Sequence, residues 1–142
     1  MSGSFFLDTN VFVYSLDLQS PTKAKVAQDL IRLAVDTEKG IVSYQVVQEF
    51  FHVALRRFTK PMPLSDCEQY LAITFRPLLA VQSSALLCGE ALRIHSQHGV
   101  SWYDALIVAA ALEAECEVLY SEDFQHGRLF GDLKIVNPFA GA

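Results

Sequence analysis

Short apolar runs alternate with helical apolar stripes along this chain from one end to the other. Phe5-Phe6-Leu7 is a run of strand length that stops at the turn and cap residues Asp8-Thr9-Asn10, and Val11-Phe12-Val13-Tyr14 then continues apolar. Ser20-Pro21 offers a helix start with proline in the first turn. From there to about Ala34, the residues Ala27, Leu30, Ile31 and Ala34 fall at helical spacing, with Lys23, Lys25, Gln28 and Arg32 outside the stripe. Gly40-Ile41-Val42-Ser43 reads as a second strand, with Ser43 as the cap of a helix whose broad apolar face holds Val46, Val47, Phe50, Phe51, Ala54, Leu55 and Phe58. Pro61 and Pro63 end that segment. Ser65-Asp66-Cys67-Glu68 fits a capping box for another helix, which stops before Pro77.

The second half repeats the alternation. Residues 78–81 form a strand candidate, and Ser83 or Ser84 caps a helix running to about His98, with Gly99 beyond its end. Ser101 caps a helix that is apolar nearly all round over residues 105–112, so it belongs in the middle of the fold. Val118-Leu119-Tyr120 and Leu133-Lys134-Ile135-Val136 are the last two strands of this reading. Strands separated by one or two helices predict a three-layer α/β/α fold with a mostly parallel central sheet. With no internal repeat, low-complexity run or linker, residues 1–142 are expected to form a single domain.

Composition narrows the class without naming a chemistry. Half of the residues are hydrophobic (51%) and 19% are charged, which suits one sizeable core and excludes a disordered chain. The longest purely apolar stretch near the middle is far short of the ~20 residues of a membrane span, and no basic leader precedes Phe5. The expectation is a cytoplasmic protein without a membrane partner. Cys67, Cys88 and Cys116 are odd in number, widely spaced and set in apolar surroundings, so they read as small hydrophobes and not as a disulfide or zinc framework. A net charge of −5 argues at first against a nucleic-acid partner. That argument weakens if four of the sixteen acids form one cation site, because 12 acidic residues then face 11 basic ones.

Acid placement supports such a site. In an open parallel sheet, ligands bind at the carboxyl ends of the strands, where helices begin. Asp8 follows the first strand, Glu49 lies in the second turn of the helix after the second, Asp104 is in the first turn of the apolar helix, and Asp123 lies just past Tyr120-Ser121. Gathering carboxylates without a cation is costly because like charges raise one another's pKa. Hard oxygen ligands suit magnesium or manganese. Each acid also has a plainer role: Asp8 as a cap, Asp104 in the capping pattern Ser101-x-x-Asp104, Glu49 at a helix dipole, Asp123 in a polar turn. Four such coincidences at one rim are less common than any one.

The motifs Phe6-Leu7-Asp8-Thr9-Asn10-Val11-Phe12, Ser43 with Glu49-Phe50, Ser101-Trp102-Tyr103-Asp104-Ala105-Leu106-Ile107, and Val118-Leu119-Tyr120-Ser121-Glu122-Asp123-Phe124 span nearly the whole chain. In order and spacing they resemble the PIN domain, and within it the small VapC-type toxins of bacterial and archaeal toxin–antitoxin pairs. The resemblance implies a magnesium- or manganese-dependent endoribonuclease with one or two ions, cleaving RNA to leave a 3′-hydroxyl and a 5′-phosphate. It carries the catalytic and metal-binding quartet onto Asp8, Glu49, Asp104 and Asp123, and the supporting positions onto Asn10 and Ser121. Ser121 stands where the family often has threonine, which keeps the hydroxyl, and Glu122 adds a fifth acid beside the quartet. A homodimer and a cognate antitoxin that blocks the acidic pocket are implied in the same way. A PIN nuclease that processes RNA without an antitoxin is the alternative.

Other candidates carry less. Arg56 and Arg57, with Phe58 and Lys60, are the favoured RNA contacts, and Lys23, Lys25 and Arg32 offer a second basic group; a solvated helix surface explains each equally well. Trp102 and Tyr103 read as packing residues first and base-stacking residues second. Glu49-x-x-His52 is half of a di-iron signature without its second copy. His95-x-x-His98 has no third ligand, and His126 reads as a loop residue. A haloacid-dehalogenase-type phosphatase also opens on a strand ending in aspartate, but it needs a second aspartate where this chain has Asn10. An inert interaction module would have no physical need to gather four acids.

Overall fold

The structure is a computed structural model that describes residues 3–58 and 60–141. Its centre is β1 (Phe5–Leu7), in which every side chain is buried. Phe6 and Leu7 are fully removed from water, and each contributes roughly 1.5–3 kcal/mol by burial. Such a strand needs neighbours on both edges. It has β2 (Gly40–Ser43) on one side and β4 (Val118–Tyr120) on the other, both parallel to it. The full sheet runs β3-β2-β1-β4-β6-β5, with β3 (Leu79–Val81) and β6 (Leu133–Val136) also parallel to their neighbours. Only β5 (Leu129–Phe130) is antiparallel, pairing with β6 at the edge. Helices cover the sheet, giving the expected three-layer α/β/α fold.

The connecting helices follow the apolar pattern, with informative departures. The strand ends at the expected turn and cap residues, and the apolar run after them, which the sequence left unassigned, is a short helix, α1 (Thr9–Ser15). Asp8 starts it by accepting a hydrogen bond from Thr9 N at 2.7 Å, and this cap outweighs the strand-like composition of Val11, Phe12 and Val13. The next helix, α2 (Pro21–Thr37), ends in a tight return to β2, and a Cβ at Gly40 would run into the backbone and side chain of Ala34. Ser43 sits at the N-terminus of α3 (Tyr44–Arg56) but its hydroxyl makes no cap hydrogen bond.

The expected capping box at Ser65 is displaced. The helix α4 (Leu64–Tyr70) begins two residues earlier, with Pro63 in extended conformation at the cap position and its carbonyl accepting from Cys67 N at 3.0 Å. Nor does the helical path stop before Pro77. A π-helical turn over Leu71–Phe75 leads into α5 (Arg76–Leu78), where proline sits in a first turn and is tolerated. The wider turn brings Tyr70 and Phe75, five residues apart, against the same ring of Phe50, at centroid distances of 4.8 and 5.2 Å. Beyond β3, Ser84 and not Ser83 caps α6 (Ala85–His98), accepting from Leu87 N, and Gly99 closes that helix at φ 69°. Then α7 (Trp102–Glu113) buries Ala105 and the whole run from Ile107 to Ala111, packs along α6 and reaches β2 and β4. The three cysteines are free thiols. Among the described residues, no helix is long and apolar enough to cross a membrane.

Candidate active site

At the carboxyl ends of β1 and β4 the chain turns from strand to helix or loop, and a cleft of about 610 Å³ opens there. Asp8, Glu49, Asp104 and Asp123 all line it. They arrive from four separate segments: the cap of α1, the middle of α3, the first turn of α7, and the turn after β4. Asp8 N donates to Tyr120 O at 3.1 Å, which ties the end of β1 to the end of β4 and sets Asp8 beside Ser121.

Asp8 is the deepest of the four, only 4% exposed. Its Oδ1 accepts from Thr9 N, and its Oδ2 accepts from the Ser121 hydroxyl at 2.7 Å. Burial dominates its acidity and pushes the carboxyl up to about 7; the nearby charges of Asp123 and Glu49 push the same way, while the Ser121 and Thr9 hydrogen bonds oppose them. Glu49 is held at both oxygens: Oε1 accepts from the Thr9 hydroxyl at 2.7 Å, and Oε2 from Gln45 Nε2 at 3.4 Å. Gln45 also donates to Tyr103 O at 3.2 Å and so links α3 to the start of α7. Asp104 N donates to the Ser101 hydroxyl, leaving the Asp104 carboxylate at the cleft wall. Asp123 stands at the open rim, where Asn10 Nδ2 donates to its Oδ1 at 3.3 Å and its own N–H donates to Ser121 Oγ at 3.1 Å. Partial burial raises its pKa first, and Asp104, Glu122 and Glu49 add repulsion.

Ser121 therefore works in two directions. It is 1% exposed, donates to Asp8 and accepts from Asp123, so one hydroxyl fixes two acids relative to each other. The fifth acid turns away: Glu122 accepts from the Tyr14 hydroxyl at 2.7 Å and lies 3.6 Å from Lys23 Nζ. Lys23 is thereby committed to Glu122, and Lys25 is paired with Asp29. Of the two arginines singled out from the sequence, Arg57 lines the cleft, whereas Arg56 is exposed and does not. Tyr103 is 64% exposed at the cleft wall, while Trp102 packs against the core.

Thr9, Gln45, Gln48 and His52 also line the cleft; the sequence offers His52 only as half of an incomplete di-iron signature and names none of the other three as a site residue. A signal for three of them existed. Gln45, Gln48, Glu49 and His52 form a polar stripe at helical spacing on α3, opposite the buried Val46, Val47, Phe50 and Ala54. His95 and His98 lie elsewhere: His95 Nδ1 meets Val100 O, and the His98 ring packs on Phe130. His126 Nδ1 accepts from Asn137 N in the loop before β5.

The donor set is made of hard carboxylate oxygens that repel one another, which fits magnesium or manganese. Among the described residues, no three acidic, histidine or cysteine side chains converge tightly enough to enclose an ion alone.

A carboxylate-lined cleft at the strand ends of a parallel α/β sheet is the arrangement of a phosphate-ester hydrolase as much as of a metal store, and the family distinguishes them. The PIN-domain family matches residues 5–129, so this chain belongs to the PIN-domain family. Two solved structures share the fold. One is VapC20 of Mycobacterium tuberculosis, described as a sarcin-ricin loop cleaving toxin, with a TM-score of 0.60 and 19% identity over 86% of this chain and 92% of that one. The other is FitAcB from Neisseria gonorrhoeae, with a TM-score of 0.63 and 19% identity over 95% of this chain and 98% of that one. No curated protein matches the chain significantly by sequence.

Proposed function

We propose that this chain is a divalent-metal-dependent endoribonuclease that serves as the toxin of a toxin–antitoxin pair. The observation that carries the reading is the convergence of Asp8, Glu49, Asp104 and Asp123 on one cleft, with the Asp8 carboxyl pushed up to about 7 by burial and by its acidic neighbours. A folded protein that gathers such charges without a counter-ion is working against its own stability. Asp8, Glu49 and Asp104 would hold the cation, directly or through water, and Asp123 would complete the site through a water. When bound, such an ion supplies a water of lowered pKa and neutralises charge on the phosphate and the leaving oxygen.

The chain's own groups then have separable tasks. Ser121 and the Thr9 backbone fix the Asp8 carboxylate, the Thr9 hydroxyl and Gln45 fix Glu49, and Asn10 steadies Asp123. Arg57 and His52 stand on the α3 side of the cleft, where the Arg57 guanidinium can take a phosphate oxygen of the substrate. Asn10 occupies the place of the second aspartate that a haloacid-dehalogenase-type phosphatase requires, and its amide is bonded to Asp123.

The toxin role is supported by the likeness in fold to VapC20, and with it we propose a homodimer and an antitoxin that covers the cleft. The enzymatic part is tested by cleavage of single-stranded RNA with magnesium or manganese. Activity should vanish with a chelator and in Asp8→Asn, whose circular dichroism should match the wild type. Full activity in that variant would sink the assignment. Growth arrest on expression, relieved by a neighbouring small gene, separates the toxin from an RNA-processing nuclease.

A further inference from the structure

Beside the acidic cleft lies a second, smaller hollow of about 130 Å³. It is bounded by the end of β2, the start of α6 and the start of α7, through Ser43, Tyr44, Ser84, Leu87, Cys88 and Leu106 among others. Gln45, Gln48 and Tyr103 line both hollows, so the two share a wall. Whatever enters the smaller one remains covalently within reach of the larger if it is part of the same nucleotide chain.

The two hollows differ in chemistry. Four acids, His52 and Arg57 line the cleft, whereas none of the described residues lining the small hollow carries a charge. A backbone phosphate calls for cationic partners, and the uncharged part of an RNA chain is its bases. The walls suit a base. Tyr44 and Tyr103 are 41% and 64% exposed and offer aromatic faces, and Leu87 and Leu106 add apolar surface. The volume is well below the ~300–1,000 Å³ of pockets for larger ligands, which limits the guest to one ring system.

One residue lining the small hollow also carries an unsatisfied polar group beneath its wall. Ser43 is 3% exposed, and its hydroxyl is buried without a hydrogen-bond partner. The Ser84 hydroxyl is already committed, accepting from Leu87 N at 3.0 Å. Buried hydroxyls are nearly always paired, because leaving one unpaired is costly. The edge of a base carries the donors and acceptors that would pair it.

We propose that this hollow is a base-reading subsite, which selects the nucleotide next to the cut phosphate by stacking on Tyr44 and Tyr103 and pairing the Ser43 hydroxyl, which no hydrogen bond holds in its covered position, once it turns toward the base. The inference rests on the ribonuclease reading of the cleft, so its test has one arm that needs no cleavage. Adenosine, guanosine, cytidine and uridine are titrated into the metal-free full chain and followed by amide NMR. One nucleoside should give saturable shifts at Ser43, Leu87 and Cys88. Ser43→Ala should weaken it roughly five- to tenfold, the share of one hydrogen bond, and Ser83→Trp, at an exposed rim position, should block it without touching the core.

In the second arm, a randomised RNA pool is cut with manganese. The same base should be enriched at one position beside the cut, and both variants should flatten that enrichment while total cleavage of the pool is kept. No selective shift at those amides, together with an enrichment that neither variant alters, would overturn the subsite. Selective shifts in a wild-type chain that cuts no RNA would instead keep the base pocket and remove the ribonuclease.

Discussion

Asp8→Asn should make the metal-free protein more stable at pH 8, although it removes a residue central to the site. The Asp8 carboxyl is 4% exposed and is driven from 3.8 to about 7, with burial as the largest cause. The native state therefore holds this proton up to about pH 7, while the unfolded chain releases it near 3.8. Between those values folding takes up a proton, so stability falls as the pH rises through the window and stays low above it. The full gap corresponds to roughly 4 kcal/mol at complete ionisation. Asparagine can still accept from Thr9 N and can donate to Ser121 Oγ, so the substitution removes the charge and keeps the hydrogen-bonding frame. Denaturant unfolding in the presence of a chelator at pH 5, 6, 7 and 8 measures the difference. The variant should gain a few kcal/mol over wild type at pH 8, and about 3 kcal/mol of that gain should be gone at pH 5. Magnesium should then raise the stability of the wild type and not of the variant. A variant less stable than wild type at pH 8, or a difference that ignores pH, would refute the electrostatic reasoning.

Two further expectations concern other parts of the molecule. Gly40→Ala forces a Cβ into Ala34 at the α2–β2 return and should cost about 1–3 kcal/mol, seen as a fall in Tm of roughly 3–10 °C by calorimetry. Arg57→Ala should lower kcat/KM for RNA about tenfold or more, the worth of a charge-assisted hydrogen bond, and flatten the salt dependence of cleavage. Arg56→Ala, which alters no residue lining the cleft, should leave both unchanged.

The strands and long helices were legible because each has enough residues to show its period. Phe5–Leu7, Gly40–Ser43 and Leu133–Val136 are where apolar runs and flanking turns put them. The misses share a cause, which is that a local pattern of only a few residues was outvoted by a contact. The apolar run Val11-Phe12-Val13-Tyr14 is too short to show a period and so names no element, yet the Asp8 cap begins a helix through it. Leu129–Phe130 is too short to show any alternation and exists as a strand only by pairing with β6. Helical backbone passes Pro77 because the π-helical turn before it resets the helix, so proline meets a fresh first turn.

The cleft was legible to the same degree. Four acids after strand ends can be seen to share a rim without knowing which helix face each occupies. The groups that hold those acids could not be read the same way. The contact of Thr9 with Glu49 depends on how α3 docks on α1, and the polar stripe through Gln45, Gln48 and His52 looks like ordinary solvent-facing surface until the cleft is seen beneath it. Glu122 sits next to Asp123 in sequence, yet Tyr14 draws it out of the cleft.

The central claim is that this cleft exists to hold a divalent cation. Calorimetric titration of manganese into the metal-free wild-type protein, beside Asp8→Asn and Asp104→Asn, tests it without needing an RNA target. Saturable binding to the wild type, with proton release that grows below pH 7 and heats largely lost in both variants, is the expected result. Wild-type heats no greater than dilution, or binding that survives both substitutions, would contradict it.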